Sequence, residues 1–119
     1  MMLIEHLLDN LLPKQSLSPC DIGLNEGVKS DDGKAMFSLI PPHALHQVAQ
    51  VLTFGAKKYE PENWRKVPNA NQRYLDAALR HLNAHQQGEK TDSESGLPHL
   101  AHATCCLLFL LELSQPNMG

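Results

Sequence analysis

The sequence of 119 residues is poor in aromatic side chains, at 5%, and contains only three cysteines. This odd number, with Cys105 and Cys106 adjacent, argues against a disulfide framework and favours a reducing compartment, which we expect to be the cytoplasm. The longest apolar run, Cys105 to Leu111, is far shorter than the ~20 residues that a membrane span requires. We therefore expect a cytoplasmic protein that has no membrane partner.

Positive charge is also scarce. The chain carries 10 Lys and Arg against 13 Asp and Glu, for a formal net charge of −3 at pH 7. Nonspecific binding of a nucleic acid polymer needs a positive field, so the net charge argues against a nucleic acid polymer as partner. A single nucleotide is not excluded, because a local cluster of cations can hold one triphosphate. Residues 1–12 contain Glu5 and Asp9 instead of a basic start, so we expect no signal peptide.

Apolar side chains recur with helical spacing along most of the chain. They predict a short helix near 2–12, ended by Pro13, and three principal helices near 42–55, 71–87 and 96–113. No alternating pattern typical of a strand stands out. The sequence therefore predicts an all-α fold, a small bundle of about four helices.

The last predicted helix is apolar nearly all round after Ala103, whereas a surface helix normally has one polar face. A chain of this size offers few neighbours to cover such a helix, so we expect a homodimer or higher homo-oligomer to complete the bundle.

Residues 13–33 show little periodicity and are predicted to form a loop or arm. We therefore divide the chain into an N-terminal helix and arm, 1–26, and a helical domain, 27–119.

Side chains that bind metals are concentrated at the start of the last predicted helix. Asp92 and Glu94 precede it, and Ser95 is a suitable N-cap. His99 and His102 lie one turn apart on one helix face. Carboxylates suit Mg²⁺, and added imidazoles shift the preference toward Mn²⁺, Zn²⁺ or Fe²⁺. The alternative is an ordinary capped helix with two surface histidines.

A further histidine, His81, lies toward the end of the preceding helix, and a short connection can bring it alongside the others. We expect these side chains to surround one polar cavity that binds a divalent cation. The predicted metal ligands are His81, Asp92, Glu94, His99 and His102.

The segment 57–66 combines cations with aromatic side chains. Its lysines and Arg65 can bind phosphate oxygens, and Tyr59 and Trp64 offer faces on which a base can stack. Alternatively, Trp64 anchors the end of the bundle while the lysines are solvated. The candidate substrate-binding residues are Lys34, Lys57, Lys58, Tyr59, Asn63, Trp64 and Arg73.

Two arginines of the third predicted helix, Arg73 and Arg80, lie two turns apart and share a face, with Asp76 between them. An arginine that faces a bundle interior needs a partner, because an unpaired buried charge is costly. A substrate phosphate would serve. We therefore expect both arginines to converge with Lys57 and Lys58 on one phosphate pocket.

Between residues 27 and 113, short strings occur in an order that characterises a known family. They are Leu39-Ile40-Pro41-Pro42, Val51-Leu52-Thr53-Phe54-Gly55-Ala56-Lys57-Lys58-Tyr59, Asn63-Trp64, Arg73-Tyr74, Ala78-Leu79-Arg80-His81, Gly88-Glu89, Asp92, Glu94-Ser95-Gly96-Leu97-Pro98-His99 and Ala101-His102. With these strings the chain resembles the phage-encoded family dATP/dGTP diphosphohydrolase, N-terminal.

The resemblance implies a metal-dependent, helical nucleotide pyrophosphohydrolase, similar in activity to the MazG-like all-α enzymes, which split a nucleoside triphosphate between the α and β phosphates. The four-glutamate pattern of the MazG enzymes is absent from this chain, so histidine must join aspartate and glutamate in the ligand set. The family also leads us to expect an asparagine near positions 105–106, where this chain has cysteine.

The resulting hypothesis is metal-dependent hydrolysis of a purine (deoxy)nucleoside triphosphate to the monophosphate and pyrophosphate. Mg²⁺ or Mn²⁺ would activate water, Glu94 or His99 would act as general base, and Arg80 would neutralise developing charge. The alternative is a phage protein that binds and sequesters a nucleotide-type signalling molecule without catalysis. A divalent cation site would favour the enzyme.

Overall fold

A computed structural model of the chain describes residues 26–116. The chain divides into two compact units, Met1–Ala35 and Met36–Gly119. The predicted division at residue 26 stays a prediction. The helix predicted near 2–12 lies outside the described residues.

Within the described residues the fold is helical, which confirms the all-α prediction. The second unit contains three α-helices, which we label α1 (Pro42–Lys58), α2 (Ala70–Gln86) and α3 (His99–Leu113). Two short 3-10 helices, Phe37–Leu39 and Asn63–Lys66, precede α1 and α2. No strand occurs between residues 26 and 116, and no helix there is long and apolar enough to cross a membrane.

The first helix begins at Pro42, as predicted, because proline has a suitable φ and no N–H to satisfy in a first turn. The helix was predicted to end near Gly55, and it continues to Lys58. The carbonyl of Gly55 accepts a hydrogen bond of 3.0 Å from the N–H of Tyr59. A helical glycine costs only about 1 kcal/mol, so one glycine does not stop a helix that packs well.

The last helix begins at His99, and the prediction of a start at Gly96 with Ser95 as N-cap was wrong. A turn occupies this position instead: the N–H of Gly96 donates to the carbonyl of Asp92 at 2.8 Å, and Gly96 has φ 73°. The hydroxyl of Ser95 accepts the N–H of Leu97 at 3.1 Å. The polar residues therefore build a loop and are not the first turn of α3.

The core lies where α3 packs against both other helices. Val48 and Val51 of α1 meet Ala101 and Cys105 of α3, and Leu97 and Phe109 pack against them. Small side chains at this contact let the helix backbones approach closely. Burial raises the pKa of the Cys105 thiol to about 12, so this cysteine packs as a small apolar side chain.

Large apolar side chains remain exposed on α2 and α3. On α2 they are Leu75, Leu79 and Leu82, and on α3 they include Leu100, Leu107, Leu108 and Leu111. Leu79 is 54% exposed and Leu111 is 61% exposed, which is unusual for leucines at helical spacing on a folded monomer. Oligomerisation stays a prediction that these side chains support.

Candidate metal and nucleotide site

The end of α2 is fixed by a glycine turn that sets the direction of the following loop. The N–H of Gly88 donates to the carbonyl of His85, and the N–H of Glu89 donates to the carbonyl of Ala84, each at 3.0 Å. Gly88 has φ 101°, a backbone conformation that favours glycine. This pair of bonds is a Schellman motif, which satisfies the last carbonyls of the helix.

The loop between α2 and α3 then folds back on itself and leads into the start of α3. The N–H of Asp92 donates to the carbonyl of Leu97 at 2.8 Å, and the N–H of His99 donates to the carbonyl of Lys90 at 2.9 Å. An isolated antiparallel bridge joins Thr91 to Pro98. These bonds place Asp92 beside the first turn of α3.

Three predicted ligands meet where α2, this loop and α3 converge. His81, Asp92 and His99 each offer a ligand atom, and these atoms lie within 4.8 Å of one another. The Nδ1 atoms of His81 and His99 are 2.8 Å apart. One oxygen of Asp92, Oδ1, accepts the backbone N–H groups of Glu94 at 2.9 Å and Ser95 at 3.0 Å, which fixes its carboxylate.

A fourth predicted ligand, His102, borders this cluster. Its ring stacks on that of His81, with centroids 4.7 Å apart and an interplanar angle of 16°. Its Nε2 makes a 2.7 Å hydrogen bond with the hydroxyl of Ser95. His102 is therefore engaged by the loop and supports His81, and it stands outside the close triad.

The electrostatics of the cluster favour neutral imidazoles. Burial lowers the pKa of His81, and the neighbouring His102 and His99 lower it further. Burial also lowers the pKa of His102, against the opposing effect of Asp92. Burial would raise the pKa of Asp92, but the N–H groups of Ser95 and Glu94 outweigh it and keep this pKa below its usual value.

This donor set fits a divalent cation. Neutral imidazole and ionised carboxylate are the forms that bind metals, and the local pKa shifts favour both. The two Nδ1 atoms, 2.8 Å apart, share one proton in a hydrogen bond, and a cation can replace that proton and take both lone pairs. Two imidazoles and one carboxylate, with other positions open, suit first-row divalent metals.

The fifth predicted ligand, Glu94, is directed toward a cation instead of the triad. Its Oε1 lies 2.6 Å from the Nζ of Lys58, and both side chains are partly exposed, at 57% and 39%. The hydrogen bond to Glu94 is the largest cause of the raised pKa of Lys58, so this lysine keeps its charge. The pair joins the end of α1 to the loop before α3.

A cavity of about 480 Å³ opens beside the triad. Its polar wall is formed by Lys58, His81, Asp92, Glu94 and His102. Its other wall is aromatic and is formed by Phe54, Tyr59, Trp64, Tyr74 and Phe109. This volume lies in the usual range for small-molecule sites, ~300–1,000 Å³. These two sets of lining residues offer a ligand both charged and aromatic surface.

The single tryptophan is held within the aromatic wall. Trp64 stacks on Phe109 with centroids 4.6 Å apart and an interplanar angle of 11°. The guanidinium of Arg65 lies 4.3 Å from the Trp64 ring, and Tyr74 meets Phe109 edge-on at 5.0 Å. These contacts agree with the alternative in which Trp64 anchors its loop. Tyr59 also lines the cavity and is 63% exposed, so it is the more accessible stacking surface.

The four predicted phosphate-binding cations do not share one pocket. Lys58 lines the cavity, whereas Arg73 and Arg80 line a second depression of about 460 Å³ that also contains Asp76. Lys57 lines neither. The predicted convergence is therefore not observed within residues 36–116, and the roles proposed for these cations stay predictions.

Two predicted substrate-binding residues remain, Asn63 and Lys34. Asn63 is the first residue of the 3-10 helix that carries Trp64, and it lines both the cavity and the second depression. Lys34 belongs to the unit Met1–Ala35, and its predicted substrate contact stays a prediction.

Residues 24–119 match the family described as dATP/dGTP diphosphohydrolase, N-terminal. The chain belongs to this family. This confirms the resemblance inferred from the short strings along the sequence.

A protein of Salmonella phage PMBT28 named "dATP/dGTP diphosphohydrolase" is 41% identical to the chain over 87 residues. The alignment covers 73% of the chain and 29% of that relative, so the chain spans less than a third of its length. No solved structure matches the chain.

In this family member, sequence reasoning missed the aromatic partners of the site and one acidic neighbour. Phe109 lies two helical turns beyond His102, so the spacing placed it on the same face of α3, but its apolar surroundings hid that role. Tyr74 and Glu89 entered the sequence analysis only as parts of the family strings. The contact of Tyr74 with Phe109 and the position of Glu89 near His99 both depend on the fold.

Proposed function

We propose that this domain takes part in metal-dependent hydrolysis of a purine (deoxy)nucleoside triphosphate to the monophosphate and pyrophosphate. One observation carries the proposal: three side chains from α2, the following loop and α3 offer ligand atoms within 4.8 Å of one another, beside a cavity of nucleotide size. The name of the phage relative agrees with this reaction class.

His81, Asp92 and His99 would hold the ion. A divalent cation bound there would supply Lewis acidity toward a phosphate oxygen and toward water. Of the two cations expected, two imidazole ligands favour Mn²⁺ over Mg²⁺, which prefers oxygen. The backbone N–H groups that bind Asp92 keep its carboxylate ionised and in place when substrate enters.

Lys58 would bind a substrate phosphate, and Glu94 would accept a proton from water. A phosphate entering the polar wall offers Lys58 a second anion, which competes with the 2.6 Å contact to Glu94. Once displaced from the ammonium, Glu94 is a free carboxylate on the cavity wall and can accept a proton from water. His99 is 6% exposed with both nitrogens turned to protein groups, so we assign it to the ion and not to proton transfer.

The aromatic wall would hold the base. Tyr59 lines the cavity, and Trp64 and Phe109 stack within 11° of parallel, which gives the aromatic wall a flat surface. A purine presents more stacking surface than a pyrimidine, which supports a purine substrate. The sugar would lie between the two walls, near Asn63.

The test is incubation of the purified protein with each common ribonucleoside and deoxyribonucleoside triphosphate, with Mn²⁺, Mg²⁺ or EDTA. Products are separated by anion-exchange chromatography. We expect equal amounts of dAMP or dGMP and pyrophosphate, with Mn²⁺ most effective and EDTA abolishing turnover. Release of inorganic phosphate, or of inorganic triphosphate, would contradict the proposed cleavage between the α and β phosphates.

A separate outcome would favour the sequestering alternative. If calorimetry detects nucleotide binding that is equal with Mn²⁺ and with EDTA, and no product forms under any condition, then the cavity binds a nucleotide without catalysis. The same samples serve for both measurements, so the two functions are separated directly.

A further inference from the structure

One nitrogen of His99 is buried without a partner. The side chain of His99 is 6% exposed, and within the described residues its Nε2 makes no hydrogen bond. Its other nitrogen, Nδ1, faces His81 at 2.8 Å. A buried polar atom without a hydrogen-bond partner is costly to the folded state, so a role is expected for it.

The nearest acidic group is the carboxylate of Glu89. Its Oε1 lies 3.6 Å from the Nε2 of His99, a separation slightly too long for a hydrogen bond. The Glu89 side chain is 59% exposed, so its carboxylate can move the remaining few tenths of an ångström without disturbing the core. Nε2 is therefore within reach of one acceptor.

The backbone keeps Glu89 at this position. The Schellman motif at the end of α2 binds the N–H of Glu89 to Ala84, and the next residue, Lys90, accepts the N–H of His99 at 2.9 Å. Glu89 is thus held at the end of one helix, and its chain neighbour Lys90 is bonded to His99 at the start of the next. Their proximity follows from the fold of the loop and does not depend on chance side-chain placement.

The tautomer of His99 connects this contact to the triad. A neutral imidazole carries one proton, so a His99 ring that offers its Nδ1 lone pair must carry the proton on Nε2. That N–H then needs an acceptor in a buried position, and Glu89 provides it. Carboxylates that accept the second N–H of a metal-binding histidine orient the ring and raise its basicity.

We propose that Glu89 is a positioning residue whose carboxylate accepts the Nε2–H of His99 and so holds the Nδ1 lone pair on a divalent cation shared with His81 and Asp92. This inference rests on the metal site of the proposed function. Glu89 is not itself a ligand, and its effect passes through the orientation and tautomer of His99.

The first test measures binding of Mn²⁺ alone by isothermal titration calorimetry. Glu89→Ala removes the acceptor and should weaken Mn²⁺ binding by about 10–100-fold, the range found for outer partners of metal ligands. Glu89→Gln keeps a neutral acceptor oxygen and should recover part of that loss. Glu112→Ala is the matched control, because it removes the same charge about 20 Å along α3 from His99. Circular dichroism of the metal-free variants checks that each keeps its helices.

The second test determines the tautomer of His99 by NMR, with a diamagnetic ion in place of Mn²⁺. In protein loaded with Zn²⁺, nitrogen-15 NMR of the histidine rings should show His99 bound through Nδ1 with a proton on Nε2. Glu89→Gln should shift that Nε2–H signal while leaving the ring signals of His43 and His46, on α1, unchanged. A merely structural role of Glu89 would not move the signal of one ring proton selectively.

The outcomes separate the two proposals. If the wild-type protein binds neither Mn²⁺ nor Zn²⁺, the metal site and the role of Glu89 both fall. If the wild-type protein binds Mn²⁺ and Glu89→Ala binds it equally well, only the role of Glu89 falls. If His99 binds Zn²⁺ through Nε2, Glu89 lies on the metal side of the ring and the positioning role is overturned.

Discussion

The histidine–carboxylate triad and the four cations make an instructive contrast. Both were expected to converge from sequence, and the structure brings His81, Asp92 and His99 within 4.8 Å. The cations are divided, with Lys58 on the cavity and Arg73 and Arg80 on a second depression. The difference reflects how each set is connected along the chain.

The triad depends on short-range geometry. A hydrogen-bonded turn joins the end of α2 to the start of α3, so the residues on either side of it have few ways to be arranged. The cations depend on the loop between α1 and α2. That loop packs on α3 through the stack of Trp64 on Phe109, a contact between residues far apart in sequence that no spacing encodes.

The largest expected effect is at the triad. His99→Ala removes one ligand and should lower metal-dependent turnover by at least about 10²-fold, since even outer partners of metal ligands reach that range. The measurement is the rate of pyrophosphate release with Mn²⁺. His46→Ala, an exposed histidine on α1, is the control and should keep the wild-type rate.

A smaller effect is expected at the apolar surface outside the site. Leu79 and Leu111 are more than half exposed, so burial against a second copy would remove apolar area from water. We expect a homo-oligomer at micromolar concentration, and Leu79→Glu should convert it to a monomer in light scattering. Leu45→Glu on α1 provides a comparison with a leucine of similar exposure. A wild-type monomer would contradict this expectation.

The two cation groups can be compared directly by nucleotide affinity. Lys58→Ala should weaken binding of a nonhydrolysable deoxynucleoside triphosphate by about tenfold, the effect of losing one charge-assisted hydrogen bond. Arg80→Ala should change it by less than about threefold, because an exposed charge in a separate depression is screened. Lys57→Ala tests the neighbouring lysine that lines neither space. Equal losses for Arg80 and Lys58 would restore the single phosphate pocket predicted from sequence.

Helix existence was more predictable than helix ends. Apolar spacing located α1, α2 and α3, because side chains at this spacing share one helix face, even where that face stays partly exposed, as on α2. Gly55 and Ser95 were misleading as end signals, since packing of α1 outweighs one glycine and the loop hydrogen bonds recruit Ser95 away from capping. Similarly, the ligands His99 and Asp92 were predictable from local order, whereas the contact from Glu89 depends on how the loop folds.

The smallest expected effect concerns pH and the two imidazoles in contact with each other. Burial lowers the pKa of His81 and of His102 from 6.5 in the folded, metal-free protein, with Asp92 opposing it at both rings. Between their folded pKa values and 6.5 the unfolded chain binds more protons, so the free energy of unfolding falls as pH falls through this window. Above 6.5 neither state is protonated there, and these residues contribute no slope.

The check is the thermal midpoint of EDTA-treated protein, followed from about pH 7.5 to about pH 5.5. It should decline toward acid, and the double variant His81→Asn and His102→Asn should decline less steeply. The groups that face His81 besides His102 are His99, Asp92 and Arg80, and they remain in that variant. Because the carboxylate of Asp92 loses its stabilising contribution only as pH falls below 3.8, it does not obscure this window. An identical slope in the double variant would show that the stacked imidazoles do not resist protonation, which would weaken the argument that the cluster is prepared for a cation.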